Sequence, residues 1–140
     1  MIRWAEDKDY LACSEMLTIE GVPLDGQMHR TLPTWVCEED GEILGFYTLS
    51  IINNRPAIQH VCVKRESRKH PRIIRELMKH LIEWCVRNGH DHVYAHARKD
   101  KEGVKRAIEY YFKAKSYHYD DKKELYWYFL TIKGGKNENL

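Results

Sequence analysis

At 140 residues and 43% hydrophobic content, the chain has the material for one hydrophobic core and too little for two independent domains. Its 23 Lys and Arg face 21 Asp and Glu, so no global field selects a polyanionic partner, and any such partner has to be read from local clusters. The opening residues lack an apolar h-region, no apolar run nears the roughly 20 residues of a membrane span, and Cys13, Cys37, Cys62 and Cys85 form no C-x-x-C pair, so a reduced, soluble, cytoplasmic protein is expected.

Residues 2–5 read as a short strand. A helix follows, capped by Asp7 or Asp9, with Tyr10, Leu11, Cys13, Ser14 and Leu17 on a rough apolar stripe. Residues 20–33 mix Gly, Pro and polar residues without period and read as a loop with at most one helical turn. Residues 34–37 and 43–52 flank Asp40-Gly41, a hairpin signal. After the turn at Asn53-Asn54-Arg55-Pro56, residues 57–63 are nearly continuous in apolar residues, as a central strand is.

From Arg72 to Asn88, Ile73, Ile74, Leu77, Leu81, Trp84 and Cys85 recur at helical spacing, Pro71 suits the first helical position and Asn88-Gly89 is a stop. Residues 92–97 predict a strand, and Val104, Ala107, Ile108, Tyr111 and Lys115 mark one face of a second helix over about 101–114. Residues 117–119 and 125–132 make a last hairpin around residues 120–123. The polar, glycine-containing end has nothing to bury, so residues 1–132 are expected as one domain and 133–140 as a flexible C-terminal tail.

Cations crowd the start of the long helix. Lys64, Arg65, Arg68, Lys69, Arg72 and Arg75 lie there, with only Glu66 acidic before Glu76. Each cation at a helix N-terminus is unfavourable by roughly 0.3–1 kcal/mol unless an anion or a carboxylate offsets it. The cluster therefore marks either an anion-binding site or an ordinary solvated basic rim.

The derived order is β-α-β-β-β-α-β-α-β-β, and it resembles the GNAT acetyltransferase superfamily over about 130 residues. The resemblance implies an α/β (α+β) fold with a mixed, mostly antiparallel central sheet of six or seven strands and helices on both faces. In that family the fourth strand runs into a Q/R-x-x-G-x-G/A loop that holds the pyrophosphate of acetyl-CoA. The matching segment is Val61-Cys62-Val63-Lys64-Arg65-Glu66-Ser67-Arg68-Lys69-His70-Pro71-Arg72-Ile73. Arg68 falls on the first motif position, but Pro71 stands at the first glycine and Ile73 at the Gly/Ala. Proline has no N–H for a phosphate, and a β-branched residue obstructs the close approach that glycine permits. The loop is thus a degenerate one. Short GNAT-like chains of some bacteriophages are similar in this respect, with an ending like Thr131-Ile132-Lys133-Gly134-Gly135.

The resemblance implies acetyl-CoA as co-substrate. Backbone groups of Cys62 and Val63 would bind the pantetheine arm, and Arg68, Lys69, His70, Arg72 and Ile73 would surround the pyrophosphate. A partial echo of the family's later motif, at Ala107, Tyr111 and Lys113, makes Tyr111 the general acid for the leaving thiolate, although its place on the helical stripe equally suits a core residue. As a histidine, His60 belongs to the residue type whose unperturbed pKa suits taking the proton of an attacking amine, or is a structural histidine.

No G-x-S-x-G, P-loop or dinucleotide G-x-G-x-x-G occurs. His90, His92 and His96 lack a carboxylate or cysteine at a ligand offset, so no metal is expected. An acyl-CoA-dependent N-acetyltransferase acting on a small-molecule or protein amine thus stands beside two alternatives. One is a catalytically silent GNAT-fold protein used for protein contacts or assembly. The other, disfavoured by the near-neutral net charge, is nucleic-acid binding through residues 64–79, helped by Tyr126 and Tyr128. Acceptor choice is expected in residues 20–33 and 120–124, where Glu20, Asp25, Asp120 and Asp121 suit a cationic substrate or serve as turn residues. The aromatic run Tyr126-Trp127-Tyr128-Phe129 suggests a covered face and a homodimer.

Overall fold

In the computed structural model, which describes residues 1–22, 32–69, 71–106, 108–109 and 113–132, the elements follow the expected order. They are β1 (Ile2–Trp4), α1 (Asp7–Ile19), β2 (Thr34–Glu39), β3 (Glu42–Ile52), β4 (Arg55–Val63), α2 (Arg72–Arg87), β5 (His92–Arg98), α3 (Glu102–Arg106), β6 (Lys115–Asp120) and β7 (Leu125–Thr131). The strands form a seven-stranded sheet in the order β1-β2-β3-β4-β5-β7-β6. The β1–β2, β2–β3, β5–β7 and β6–β7 pairs are antiparallel, whereas β4 and β5 run parallel, with Ala57 opposite Tyr94. A parallel pair needs a crossover connection, which α2 supplies. The fold is therefore mixed α+β with a mostly antiparallel sheet. By its internal contacts the chain divides into two compact units, Met1–Ser50 with His60–His80, and Ile51–Gln59 with Leu81–Leu140.

In the first unit, Asp40 (φ 53°) and Gly41 (φ 78°) both adopt left-handed backbone, the requirement of a two-residue hairpin whose twist matches its strands. Alternation along β2 and β3 then sorts side chains to two faces. Val36 and Phe46 join Cys62 on one face, where Cys13 and Leu17 of α1 cover them, and the hydroxyls of Thr34 and Thr48 meet at 3.0 Å. On the other face Trp35 stacks on Tyr47 with ring centroids 5.0 Å apart, and the Tyr47 hydroxyl lies 2.6 Å from Nδ1 of His80 on α2. Trp4, largely exposed, stacks on Trp35 at 4.5 Å.

Gly45 in β3 sets the depth of this second face. A Cβ there would lie 3.0 Å from the Cys62 carbonyl oxygen and 3.1 Å from both Ile73 Cγ2 and Leu77 Cδ1. The strand thus provides the clearance that lets the first turns of α2 lie close. Ile73 is accordingly buried against β3.

α1 starts at Glu6 rather than at an Asp7 or Asp9 cap. Asp9, in the first turn, accepts the Glu6 N–H at 2.7 Å and so supports the cap from inside the helix. The helix ends in a Schellman arrangement, with Gly21 at φ 78°, its N–H on Thr18 O at 3.0 Å and the Val22 N–H on Leu17 O at 3.0 Å. At the start of α2, Pro71 stands one residue before the first helical position, and its carbonyl accepts the Arg75 N–H at 3.0 Å.

In the second unit, left-handed Asn53 (φ 51°) and Asn54 (φ 65°) form the tight turn into β4, and α2 ends at Gly89 (φ 75°) with the His90 N–H on Cys85 O at 2.9 Å. Ala95, Ala97, Ile108 and Tyr128 form the core cluster there. Of the helix expected over 101–114, α3 covers Glu102–Arg106, and Ile108 and Glu109 are π-helical. α3 ends at Arg106, and Lys113 is left-handed (φ 51°) while the Ala114 N–H reaches Ile108 O at 3.2 Å, so the helix stops before Lys113 without a glycine to announce it. β6 correspondingly begins at Lys115, earlier than expected. In the final turn Asp120 Oδ1 accepts the N–H groups of Lys122 (3.0 Å) and Lys123 (3.2 Å). The expected tail, residues 133–140, lies outside the described residues.

The close approach at Gly45 yields a direct prediction. Gly45→Ala is expected to destabilise the protein by about 1–3 kcal/mol, because the strand backbone at Cys62 cannot move aside as a flexible side chain can. Chemical denaturation of parent and variant measures it, and equal midpoints would contradict the packing described.

Candidate functional site

β4 ends at Val63, and the chain turns through a single 3-10 turn, Arg65–Ser67, on its way to α2. Two backbone bonds hold the entry: the Lys64 N–H donates to Leu44 O at 2.8 Å and the Ser67 N–H to Lys64 O at 2.9 Å. Arg68 then folds back so that its Nε donates to the Val63 carbonyl at 2.7 Å. One lone pair of a carbonyl expected to face pantetheine is thus already engaged by a residue expected to face pyrophosphate.

The basic cluster meets carboxylates from elsewhere in the same unit. Arg65 Nε donates to Glu20 Oε2 at 2.8 Å, and Arg68 approaches the same carboxylate at 3.1 Å through Nη2 and 3.4 Å through Nη1. Arg65 Nη2 also donates to Ile19 O at 3.2 Å, at the end of α1. Lys64 pairs with Glu42, while Arg72 donates to Glu39 at 2.7 Å and to Glu76 at 3.3 Å. Burial would raise the Glu20 carboxyl, but the Arg65 and Arg68 guanidiniums outweigh it and hold the group below the ordinary carboxylate range. Arg72 likewise holds Glu39 low. The offset that cations at a helix start require therefore comes from four glutamates, three of them distant in sequence.

Beside this turn lies a cavity of about 520 Å³. Ala12, Met16, Ile43 and Cys62 give it an apolar lining, and Arg65 and Arg68 stand among its charged wall residues. At its other end Arg3 joins three elements: it donates to Asp9 of α1 (2.7 and 3.2 Å) and to Glu38 of β2 through Nε (3.1 Å) and Nη2 (2.5 Å). The hydrogen bonds from Arg3 outweigh burial and hold the Asp9 carboxyl below its ordinary range, although Asp9 is only 4% exposed.

The expected site residues fall out as follows. Cys62, Val63, Arg68, Lys69, Arg72 and Ile73 all lie on the strand end, turn and helix start, with Cys62, Val63 and Ile73 buried and Lys69 exposed. His60 is half-buried on β4. His70 and Tyr111 lie outside the described residues, as does Asp25. Glu20 and Asp120, weighed as receivers of a cationic substrate, are instead engaged by arginines and by turn N–H groups. The final-strand aromatics find partners in their own unit. Tyr128 is fully buried, Trp127 lies 5.1 Å from the His96 ring, Phe129 lies 6.0 Å from the His92 ring, and the Lys105 ammonium sits 4.2 Å from the Tyr126 ring. His90 stacks on Trp84 at 5.7 Å, and His92 Nδ1 lies 2.8 Å from Asp91. Among the described residues no helix is long and apolar enough to cross a membrane.

The model of the acetyltransferase (GNAT) family matches residues 3–115. The chain belongs to that family. No functionally curated protein matches it. Among solved structures, the ribosomal-protein-S18-alanine N-acetyltransferase of Escherichia coli is similar at 15% identity and TM-score 0.72, over 100% of this chain and 97% of that one. Ard1 of Thermoplasma volcanium gives 17% and 0.75 over 94% and 97%. The N-acetylglutamate synthase of Neisseria gonorrhoeae, solved with coenzyme A and N-acetyl-glutamate, gives 14% and 0.72 over 94% of this chain and 35% of that one. At these identities the likeness establishes the GNAT fold.

The Arg3 bridge carries a pH-dependent prediction. A carboxyl whose folded pKa is depressed contributes stability that is complete above its unfolded value and is lost as pH falls through the folded one. Arg3→Ala leaves Asp9 buried without its cation and is expected to cost about 3 kcal/mol near pH 7. The gap between parent and variant should narrow below about pH 4, where Asp9 is neutral in the unfolded chain and becomes so in the folded one. Urea unfolding at several pH values checks this, and a pH-independent gap would contradict it.

Proposed function

We propose that this GNAT chain is an acyl-CoA-dependent N-acetyltransferase that moves the acetyl group of acetyl-CoA onto an amine by direct attack. The observation that carries the reading is the junction of β4, cationic turn and α2, at the position where the family holds the co-substrate's phosphates. The residues fit an anion there. The Arg65 and Arg68 side chains are 60% and 43% exposed, and the first-turn N–H groups of a helix have no intrahelical partner. Pro71 contributes no N–H, so side chains take over part of what glycine amides do in the family, with Arg68, Lys69, His70 and Arg72 around the phosphates and Ile73 filling the core beneath.

Acetyl-CoA supplies an activated thioester. In the proposed reaction the amine lone pair forms the new C–N bond, the C–S bond breaks, Tyr111 protonates the departing thiolate and His60, directly or through water, accepts the ammonium proton. The backbone of Cys62 and Val63 aligns the pantetheine arm. The acceptor class is a small-molecule or protein amine.

A catalytically silent GNAT-fold protein is the second reading, favoured by the proline at the glycine position and by cations that already have carboxylate partners. The same pairing speaks against nucleic acid, because the cations of residues 64–72 are largely neutralised within the unit.

Thermal unfolding with and without acetyl-CoA separates the first two. Ligand at 100 times its dissociation constant should add about 2.7 kcal/mol of stability to the parent, and Arg68→Ala with Arg72→Ala should abolish the shift. No shift at millimolar acetyl-CoA would retire the acetyltransferase reading in favour of the silent one.

A further inference from the structure

Glu20 is an acid in the wrong place for its helix. It caps the C-terminus of α1, where the helix dipole disfavours negative charge. Its backbone has little freedom, because the Schellman bonds of Gly21 and Val22 fix the last turn around it. From that fixed point its carboxylate receives two guanidiniums from the turn after β4, Arg65 at 2.8 Å and Arg68 at 3.1 Å. The carboxylate is 17% exposed, so it is the inner partner, while the arginine heads face solvent and the cavity.

Two converging guanidiniums around a bidentate oxyanion are the arrangement that also receives a phosphate. We propose that Glu20 is a built-in competitor at the anion site of Arg65 and Arg68, and that a pyrophosphate-bearing ligand binds by displacing its carboxylate from them. The exchange selects by charge. A ligand with several phosphate charges gains more from two arginines than it loses in releasing one carboxylate, whereas a monocarboxylate gains nothing. The inference rests on the acyl-CoA reading for its natural ligand, but the exchange itself concerns only the anion.

Isothermal titration with inorganic pyrophosphate and, separately, with CoA tests it. The proteins are the parent, Glu20→Gln, and Glu20→Gln combined with Arg65→Ala and Arg68→Ala, with circular dichroism to establish that each is folded. Glutamine keeps the shape and removes the charge, so Glu20→Gln should bind pyrophosphate about tenfold more tightly, and the triple variant should lose that gain. Equal or weaker pyrophosphate binding by Glu20→Gln overturns the proposal, and if the parent still binds CoA the acyl-CoA reading survives alone. A gain for pyrophosphate with no CoA binding by any protein supports the exchange and removes the acyl-CoA reading. No binding of either probe by any protein overturns both.

Discussion

The arrangement of the first unit depends on one steric constraint, the absence of a side chain at Gly45. Because the first turns of α2 press to within about 3 Å of where a Cβ would stand, the helix start is fixed in height above β3 and next to the end of β4. That height decides where the turn between β4 and α2 can run and which side chains it presents. Here the helix start carries the branched Ile73, and the clearance for it sits in the strand.

Once the turn is placed, its charges are settled by partners that no local pattern reveals. Arg65 and Arg68 find Glu20, Lys64 finds Glu42, and Arg72 finds Glu39 as well as the nearby Glu76. The cluster is consequently a set of short-range pairs with exposed arginine heads rather than an unscreened basic field. Such pairs are exchangeable, since an exposed guanidinium loses little by swapping a carboxylate for a phosphate. This favours a compact anion at the turn over an extended polyanion along α2.

The elements were legible in the sequence wherever a local rule had no competitor. Asp40-Gly41 and Asn53-Asn54 supplied left-handed turns, the apolar period of residues 72–88 supplied α2, and alternation in residues 92–97 supplied β5. Boundaries failed where tertiary geometry decided. Glu6 became the cap because Asp9, held by Arg3, could serve it from the first turn, and α3 stopped before Lys113, a left-handed residue with no glycine to mark it. Of the candidate site, the strand end and turn were legible through the family resemblance. Glu20, Glu39 and Glu42 were not, because their partners lie 22 to 48 residues away and a glutamate near a turn is an ordinary residue.

A crystal structure of the protein with CoA shows most directly whether the turn after β4 holds phosphate in place of its resident carboxylate. Pyrophosphate oxygens are then expected within hydrogen-bond distance of Arg65 and Arg68, with the Glu20 carboxylate moved off both. CoA phosphates bound elsewhere, with Glu20 still paired to the two arginines, would contradict the exchange.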